Sequence, residues 1–160
     1  MRNYIGRFLR SAALVSAFCG AVFAPAFAAS VTVTNAWIRE LPANLPAAGY
    51  FTLHNDAKTP IALTGASSPA CGSLAMHETR TAGAAGSMGG MGGMSSMREV
   101  ARVDVPPGGT IRFEPGGFHL MCMEPKPAIK PGNEIAVTLD FSDGTNITAE
   151  FAVRTANGAQ

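Results

Sequence analysis

Apolar and polar residues alternate in short runs along most of this chain, and no stretch keeps an apolar period of 3.6 residues. Turn signals rich in Gly and Pro, such as Pro106–Gly109 and Pro115–Gly117, separate the runs. The pattern predicts an all-β domain of about nine short strands, arranged as a two-layer sandwich or a barrel with Greek-key connections. The predicted strands are Val31–Thr34, Ala48–Leu53, Ile61–Thr64, Leu74–Thr79, Arg98–Val103, Thr110–Phe113, Phe118–Met123, Glu134–Phe141 and Asn146–Val153.

The N-terminus departs from this pattern. Three arginines within the first ten residues precede an uncharged, mostly apolar run over 11–27, and the tripeptide Ala26-Phe27-Ala28 stands at its end. A basic start, a short apolar run and small residues before the cut are typical of a cleaved signal peptide. We therefore predict a signal peptide over 1–28 and an exported, periplasmic domain over 29–160. A membrane anchor would need a longer apolar run, and the position of Cys19 in mid-run argues against lipid attachment.

Charge narrows the classes of function. Twelve Lys and Arg stand against eleven Asp and Glu, and only 14% of residues are charged. A nucleic-acid-binding protein would show a basic surplus, so none is expected as a partner. No nucleophile–base spacing, phosphate-binding loop or paired carboxylates are evident, so we do not expect an enzyme. Cleavage leaves nine basic and eleven acidic residues, a net charge of −2.

The predicted mature domain keeps two cysteines, Cys71 and Cys122. In an oxidising compartment such a pair is most simply a disulfide. A cysteine acting as a redox-sensitive metal ligand is the alternative.

A Gly- and Met-rich segment over 81–97 interrupts the strand pattern. Methionines recur in it with a strict period of three, at Met88, Met91, Met94 and Met97. A helix would drift off this period, whereas an extended polyproline II segment has three residues per turn. We interpret the segment as an insertion that orders only when something engages it, or as a plain linker.

Methionine and histidine are concentrated together. Apart from Met1, every methionine lies between residues 76 and 123. Met76 precedes His77 in one predicted strand, and alternation places His119, Met121 and Met123 on one face of another. Thioethers combined with imidazoles favour a soft ion, and Cu(I) is the best match. His54 has no sulfur neighbour in its strand and is interpreted as a surface or structural residue.

These residues resemble the motif of the periplasmic copper chaperones of the PCu(A)C family (DUF461-like), which is His, a spacer, Met, 21 residues, His, one residue, Met. Met97, the segment Arg98–Phe118 and His119-Leu120-Met121 match its second half, and the upstream histidine corresponds to His77. Flanking segments also resemble the family, including Ala36–Arg39 and Ala47–Phe51. The spacer is longer here, and Met88 stands at the spacing usual in the family.

The resemblance implies a cupredoxin-like β-sandwich that binds Cu(I), or Cu(II), and delivers it to the Cu(A) centre of a terminal oxidase. The implied partner is the oxidase subunit or a thiol-containing assembly factor, and a monomer is expected. The alternatives are copper sequestration for tolerance and a cupredoxin electron carrier. The expected ligands are His77, Met97, His119 and Met121, with Met88, Met91, Met94, Met76 and Met123 as accessory candidates.

Overall fold

The computed structural model describes residues 31–42, 45–81 and 95–156. The predicted signal peptide and residues 82–94 of the predicted insertion lie outside the described residues. Within the described ranges, no helix is long and apolar enough to cross a bilayer.

Ten strands make up the described secondary structure, which confirms the all-β prediction. The predicted run Arg98–Val103 is two strands, because the chain leaves one sheet edge after residue 99 and pairs next with a distant strand. The strands are β1 Val31–Arg39, β2 Ala47–Asn55, β3 Ile61–Ser67, β4 Ser73–Thr81, β5 Ser95–Glu99, β6 Val103–Val105, β7 Thr110–Phe113, β8 Phe118–Met123, β9 Glu134–Phe141 and β10 Asn146–Arg154.

Hydrogen bonds join all ten strands into one sheet with the order β5-β4-β8-β7-β2-β1-β10-β9-β3-β6, and β8 also pairs with β2. Although β3 and β4 are far apart in this order, they contact each other. The sheet therefore curls, and the two layers expected from the sequence are two parts of one continuous sheet. Most pairs are antiparallel, while β1–β10 and β7–β8 are parallel.

The concave face of the curled sheet encloses the core. Phe51 of β2 stacks on Phe113 of β7 with ring centroids 4.3 Å apart, and Phe151 of β10 meets it edge-on. The buried positions on β2, β8, β9 and β10 follow the two-residue alternation of a strand, apart from Tyr50 and His119, which are buried on the outer face. Every second residue of these strands is therefore left for the outer face.

A disulfide joins Cys71, just before β4, to Cys122 of β8, with the Cα atoms 5.5 Å apart. Both residues are buried among the core side chains. The bond ties β4 to β8 beneath the strands that carry the predicted ligands, as the sequence predicts.

Candidate metal centre

Two of the predicted ligands face each other across the pair of strands β4 and β8. His77 lies directly opposite His119 in the antiparallel register. Their ring centroids are 5.8 Å apart, with the ring planes tilted by 50°. Side chains at directly opposite positions emerge on the same face of a sheet. The sequence predicted the two strands, and the register now brings their imidazoles together.

His119 is held with one ring nitrogen free. Its Nδ1 atom is 3.1 Å from the carbonyl oxygen of Gly117, and since a carbonyl only accepts, Nδ1 carries the proton and donates it. The other nitrogen, Nε2, then has an available lone pair. Burial lowers the pKa of His119, proximity to His77 lowers it further, and the Gly117 hydrogen bond opposes both. The neutral imidazole, which is the form that binds metals, is favoured.

His77 has an unsatisfied nitrogen. Its Nδ1 atom is buried and has no hydrogen-bond partner among the described residues. An unpaired buried polar atom costs about 1–3 kcal/mol in a folded protein. A metal ion bound at Nδ1 would remove this cost, so the atom fits a ligand role.

Two methionines on β8 share the outer face with His119. Met121 is half-buried and lies opposite Ala75 of β4 and Ala48 of β2. Because both neighbours are small, space beside the thioether is open. Met123 lies two residues further along, opposite Ser73, and is 42% exposed.

Met97 reaches the same face from the sheet edge. It lies on β5 opposite Thr79, which is two residues beyond His77 on β4. Met97 and His77 are therefore diagonal neighbours, at roughly 7–8 Å between backbone positions, within reach of a long side chain. The thioether is 54% exposed, the most open of the large apolar side chains that the structure describes.

In the part of the chain that the structure describes, acids and thiols do not complete a metal site around this histidine pair. Among the described residues, no group of three or more His, Cys, Asp and Glu is placed to hold a metal ion. Glu99 also lies opposite His77, on β5, without forming such a group. Within the described ranges, the thioethers of Met97 and Met121 are the donors that can complete a site with both histidines, and sulfur with imidazole suits a soft monovalent metal.

The remaining candidate metal ligands differ in where the structure places them. Met76, predicted as an accessory ligand, points into the core and is 4% exposed, because its neighbour His77 takes the outer face of β4. Cys122 is fully buried in the disulfide and is not placed to serve as a ligand. The accessory candidates within 82–94, which are Met88, Met91 and Met94, lie outside the described residues. His54 contacts Thr110 and Asp56, as a structural histidine would.

Glu78 lies on the face of β4 opposite to His77, so it is not a partner of that imidazole. Its Oε2 atom accepts hydrogen bonds from Arg98 of β5, at 2.9 Å from Nε and 2.7 Å from Nη2, and lies 3.1 Å from Nε of Arg80. These hydrogen bonds, the one from Arg98 first, lower the pKa of Glu78. The Glu78–Arg98 pair joins β4 to the edge strand that carries Met97, whereas Arg80 lies on β4 itself.

Sequence reasoning missed an aromatic and cationic group beside the histidines. Tyr50 of β2 packs 6.5 Å from His119 and 4.7 Å from Trp37 of β1, between ring centroids. Arg39 stacks over both of these rings, and Arg154 of β10 stacks over Trp37. Alternation in Ala36–Arg39 was the available signal, since it puts Trp37 and Arg39 on one face.

The fold is that of PCuAC domains, which are cupredoxin-like. The copper-bound PCuAC domain from PmoF2 superposes with a TM-score of 0.62 at 22% identity, covering 79% of this chain and 93% of that domain. Two solution structures of DR1885 from Deinococcus radiodurans are also similar. The apo form has a TM-score of 0.58 at 26% identity, covering 98% of this chain and 100% of that one. The CuI form has a TM-score of 0.56 at 30% identity, covering 81% and 83%.

Sequence comparison gives the family. Residues 31–153 match the model of the LpqE-like family, which is described as one of lipoproteins. The protein Lxx21020 of Leifsonia xyli subsp. xyli (strain CTCB07), named as a lipoprotein, is 32% identical over 129 residues, or 81% of this chain and 72% of the relative. The chain belongs to the LpqE-like family.

Proposed function

We propose that this protein is a copper carrier that binds one Cu(I) ion through His77, Met97, His119 and Met121. The observation that carries the proposal is the pairing of His77 with His119 across β4 and β8, with one unsatisfied nitrogen and two thioethers on the same face. The chain's similarity to CuI-DR1885 supports the choice of ion.

The charge of this donor set suits reversible binding. Two neutral imidazoles and two neutral thioethers leave a bound Cu(I) site with a single positive charge. Thioethers form no disulfides, so they remain ligands in an oxidising compartment where free thiols do not. The donor set therefore suits an exported protein, in keeping with the signal peptide predicted over 1–28 and a periplasmic location.

Release begins, in this proposal, at the most exposed ligand. Met97 is 54% exposed on an edge strand, whereas His119 is 4% exposed within the sheet. An acceptor ligand can replace the Met97 thioether first and the buried imidazole last. The receiving site is the Cu(A) centre of a terminal oxidase or a thiol-containing assembly factor, and the carrier acts as a monomer without catalysing a reaction.

An anaerobic Cu(I) competition titration tests this ligand set. The wild-type chain is compared with Met97→Leu, Met88→Leu and His119→Ala. We expect His119→Ala and Met97→Leu to lose affinity while Met88→Leu keeps it. Preserved affinity in Met97→Leu, with loss in Met88→Leu, would reassign the third ligand to Met88.

Copper sequestration is the second candidate function. It is favoured by three further methionines within 82–94, which stand in the sequence between the end of β4 at Thr81 and the start of β5 at Ser95. A carrier binds one Cu(I) per chain, and deletion of 86–94 leaves its high-affinity site while slowing capture. Sequestration predicts more than one Cu(I) per chain and a stoichiometry that falls on the same deletion.

A further inference from the structure

Two arginines beside the histidine pair lack carboxylate partners. Arg39 and Arg154 occupy paired positions on the parallel strands β1 and β10. Neither forms an ion pair within the described residues, and the Nε atom of each is buried without a hydrogen-bond partner. By contrast, Arg80, Arg98 and Arg102 all pair with acids.

Aromatic stacking keeps these two like charges together. The guanidinium carbons of Arg39 and Arg154 lie 5.6 Å and 5.3 Å from the centroid of the Trp37 ring, and Arg39 also lies 5.3 Å from that of Tyr50. Stacking leaves in-plane donors of a guanidinium free; Nε is buried here, but the two Nη groups of each arginine form a fork that matches a carboxylate. The group of Arg39, Trp37 and Arg154, here called the arginine stack, is thus preorganised to bind carboxylates.

The register fixes where the arginine stack lies relative to the metal ligands. Arg39 is opposite Ala48 of β2, and Ala48 is opposite Met121 of β8. Two strand spacings, about 10 Å, therefore separate the Arg39 and Met121 backbone positions. The residue between them in the register is Ala48, whose side chain is a single methyl group. A protein surface that approaches Met121 to exchange copper would also cover the arginine stack.

We propose that the arginine stack is the docking site for a copper-exchange partner that carries carboxylates beside its own copper ligands. This inference rests on the proposed function. Complementary charge aligns the partner so that its ligands meet Met121 and His119, and it speeds encounter at low ionic strength. Arg154 and Arg39 act as recognition residues and leave copper coordination to the histidines and methionines.

Transfer kinetics with two synthetic peptides test the proposal. Both contain the same cysteine-based Cu(I) sequence, one flanked by aspartates and the other by asparagines. From the Cu(I)-loaded wild-type chain we expect the aspartate peptide to receive copper on the order of tenfold faster at low ionic strength, and the advantage to vanish in high salt. In the double variant Arg39→Gln/Arg154→Gln the ratio should fall to about one.

A matched control removes the same charge elsewhere. The double variant Lys58→Gln/Arg102→Gln changes two exposed residues, one just before β3 and one just before β6, and should keep the preference for the aspartate peptide. Equal loss in both double variants, or no loss in the arginine-stack variant, would overturn the proposal. If circular dichroism shows that the arginine-stack variant is unfolded, the single variant Arg154→Gln is measured instead. A fall of at least about twofold in the ratio of the transfer rates to the aspartate and asparagine peptides supports the proposal, and no fall refutes it.

A copper-free measurement separates this inference from the proposed function. Trp37 is the chain's single tryptophan, so its fluorescence reports directly on the arginine stack. The copper-free aspartate peptide should change its emission, and the asparagine peptide should not. No response to either peptide would refute docking even if the chain binds Cu(I), whereas a response without Cu(I) binding would refute the carrier function alone. Tighter binding to phosphatidylserine vesicles than to the aspartate peptide would identify a membrane surface and overturn the proposal.

Discussion

Histidines at two ends of the outer face have opposite surroundings. At one end, His54 lies with Nδ1 2.8 Å from Oγ1 of Thr110 and Nε2 3.3 Å from Oδ1 of Asp56. At the other end, His77 has a buried Nδ1 without a partner, and His119 keeps Nε2 available. Hydrogen bonding therefore separates the structural histidine from the pair that can still bind a ligand.

The neighbours differ as clearly as the hydrogen bonds. Oxygen groups surround His54, where Thr32 donates a 2.6 Å hydrogen bond to Asp56. Thioethers flank the other end, with Met121 on β8 and Met97 on β5. Hard oxygen and soft sulfur select different ions, so only the second region fits Cu(I).

Removing one imidazole from each region should give the largest difference in Cu(I) affinity. We expect His119→Ala to weaken Cu(I) binding on the order of 1,000-fold, since even partners outside the coordination sphere cost 10- to 100-fold when lost. His54→Ala is the control and should stay within about twofold of wild type. Anaerobic competition titration measures both. Comparable losses in the two variants would erase the distinction between the regions.

Breaking the disulfide should destabilise the region that carries the proposed ligands. The variant Cys71→Ala/Cys122→Ala loses the tie between β4 and β8, and we expect its unfolding free energy to fall by about 3 kcal/mol. Urea denaturation of the copper-free protein measures the loss. Saturating Cu(I) should restore part of it, because a ligand that binds only the folded state stabilises that state. Unchanged unfolding in the variant would refute a structural role.

Replacing a methionine by leucine should have different effects on Cu(I) affinity on the two faces of the sheet. Met97→Leu should lower Cu(I) affinity about tenfold with little effect on stability, because the side chain is exposed. Met76→Leu is the matched change in the core; it should keep copper affinity and cost less than about 1.5 kcal/mol of stability. Titration and urea denaturation of each variant check the pair. Loss of affinity in Met76→Leu alone would reverse the assignment of faces.

The smallest expected effect is on the pH dependence of stability. Burial lowers the pKa of His119 below its ordinary 6.5, so the unfolded chain binds the proton more readily. Copper-free stability should be fully present above about pH 6.5 and fall as the pH drops through the lowered pKa. Urea denaturation across this range, compared with His119→Gln, measures the contribution. The same acid dependence in both proteins would contradict it.

Local sequence pattern predicted the strands and which residues share a strand face. Alternation put His119 and Met121 together, and the two cysteines of the predicted mature domain allowed one internal pairing. The register that sets His77 against His119 depends on contacts between distant strands, which alternation within one strand does not contain. For the same reason, the run Arg98–Val103 concealed the break that separates β5 from β6.

The sequence pattern did not predict the arginine stack, because the stack also depends on the pairing of distant strands. Trp37 and Arg39 lie on β1, and Arg154 lies on β10 near the other end of the chain. Only the parallel pairing of these two strands brings the arginines together. Glu78 follows His77 in the sequence but lies on the other face of β4, where it pairs with Arg98 of β5.

X-ray absorption at the copper edge of the Cu(I)-loaded chain tests the central claim most directly. We predict a mixed shell of two nitrogen and two sulfur scatterers, with the sulfur contribution reduced in Met121→Leu and unchanged in Met76→Leu. A shell of nitrogen and oxygen alone, or a sulfur shell that Met121→Leu leaves intact, would contradict binding by the facing histidines and their thioether neighbours.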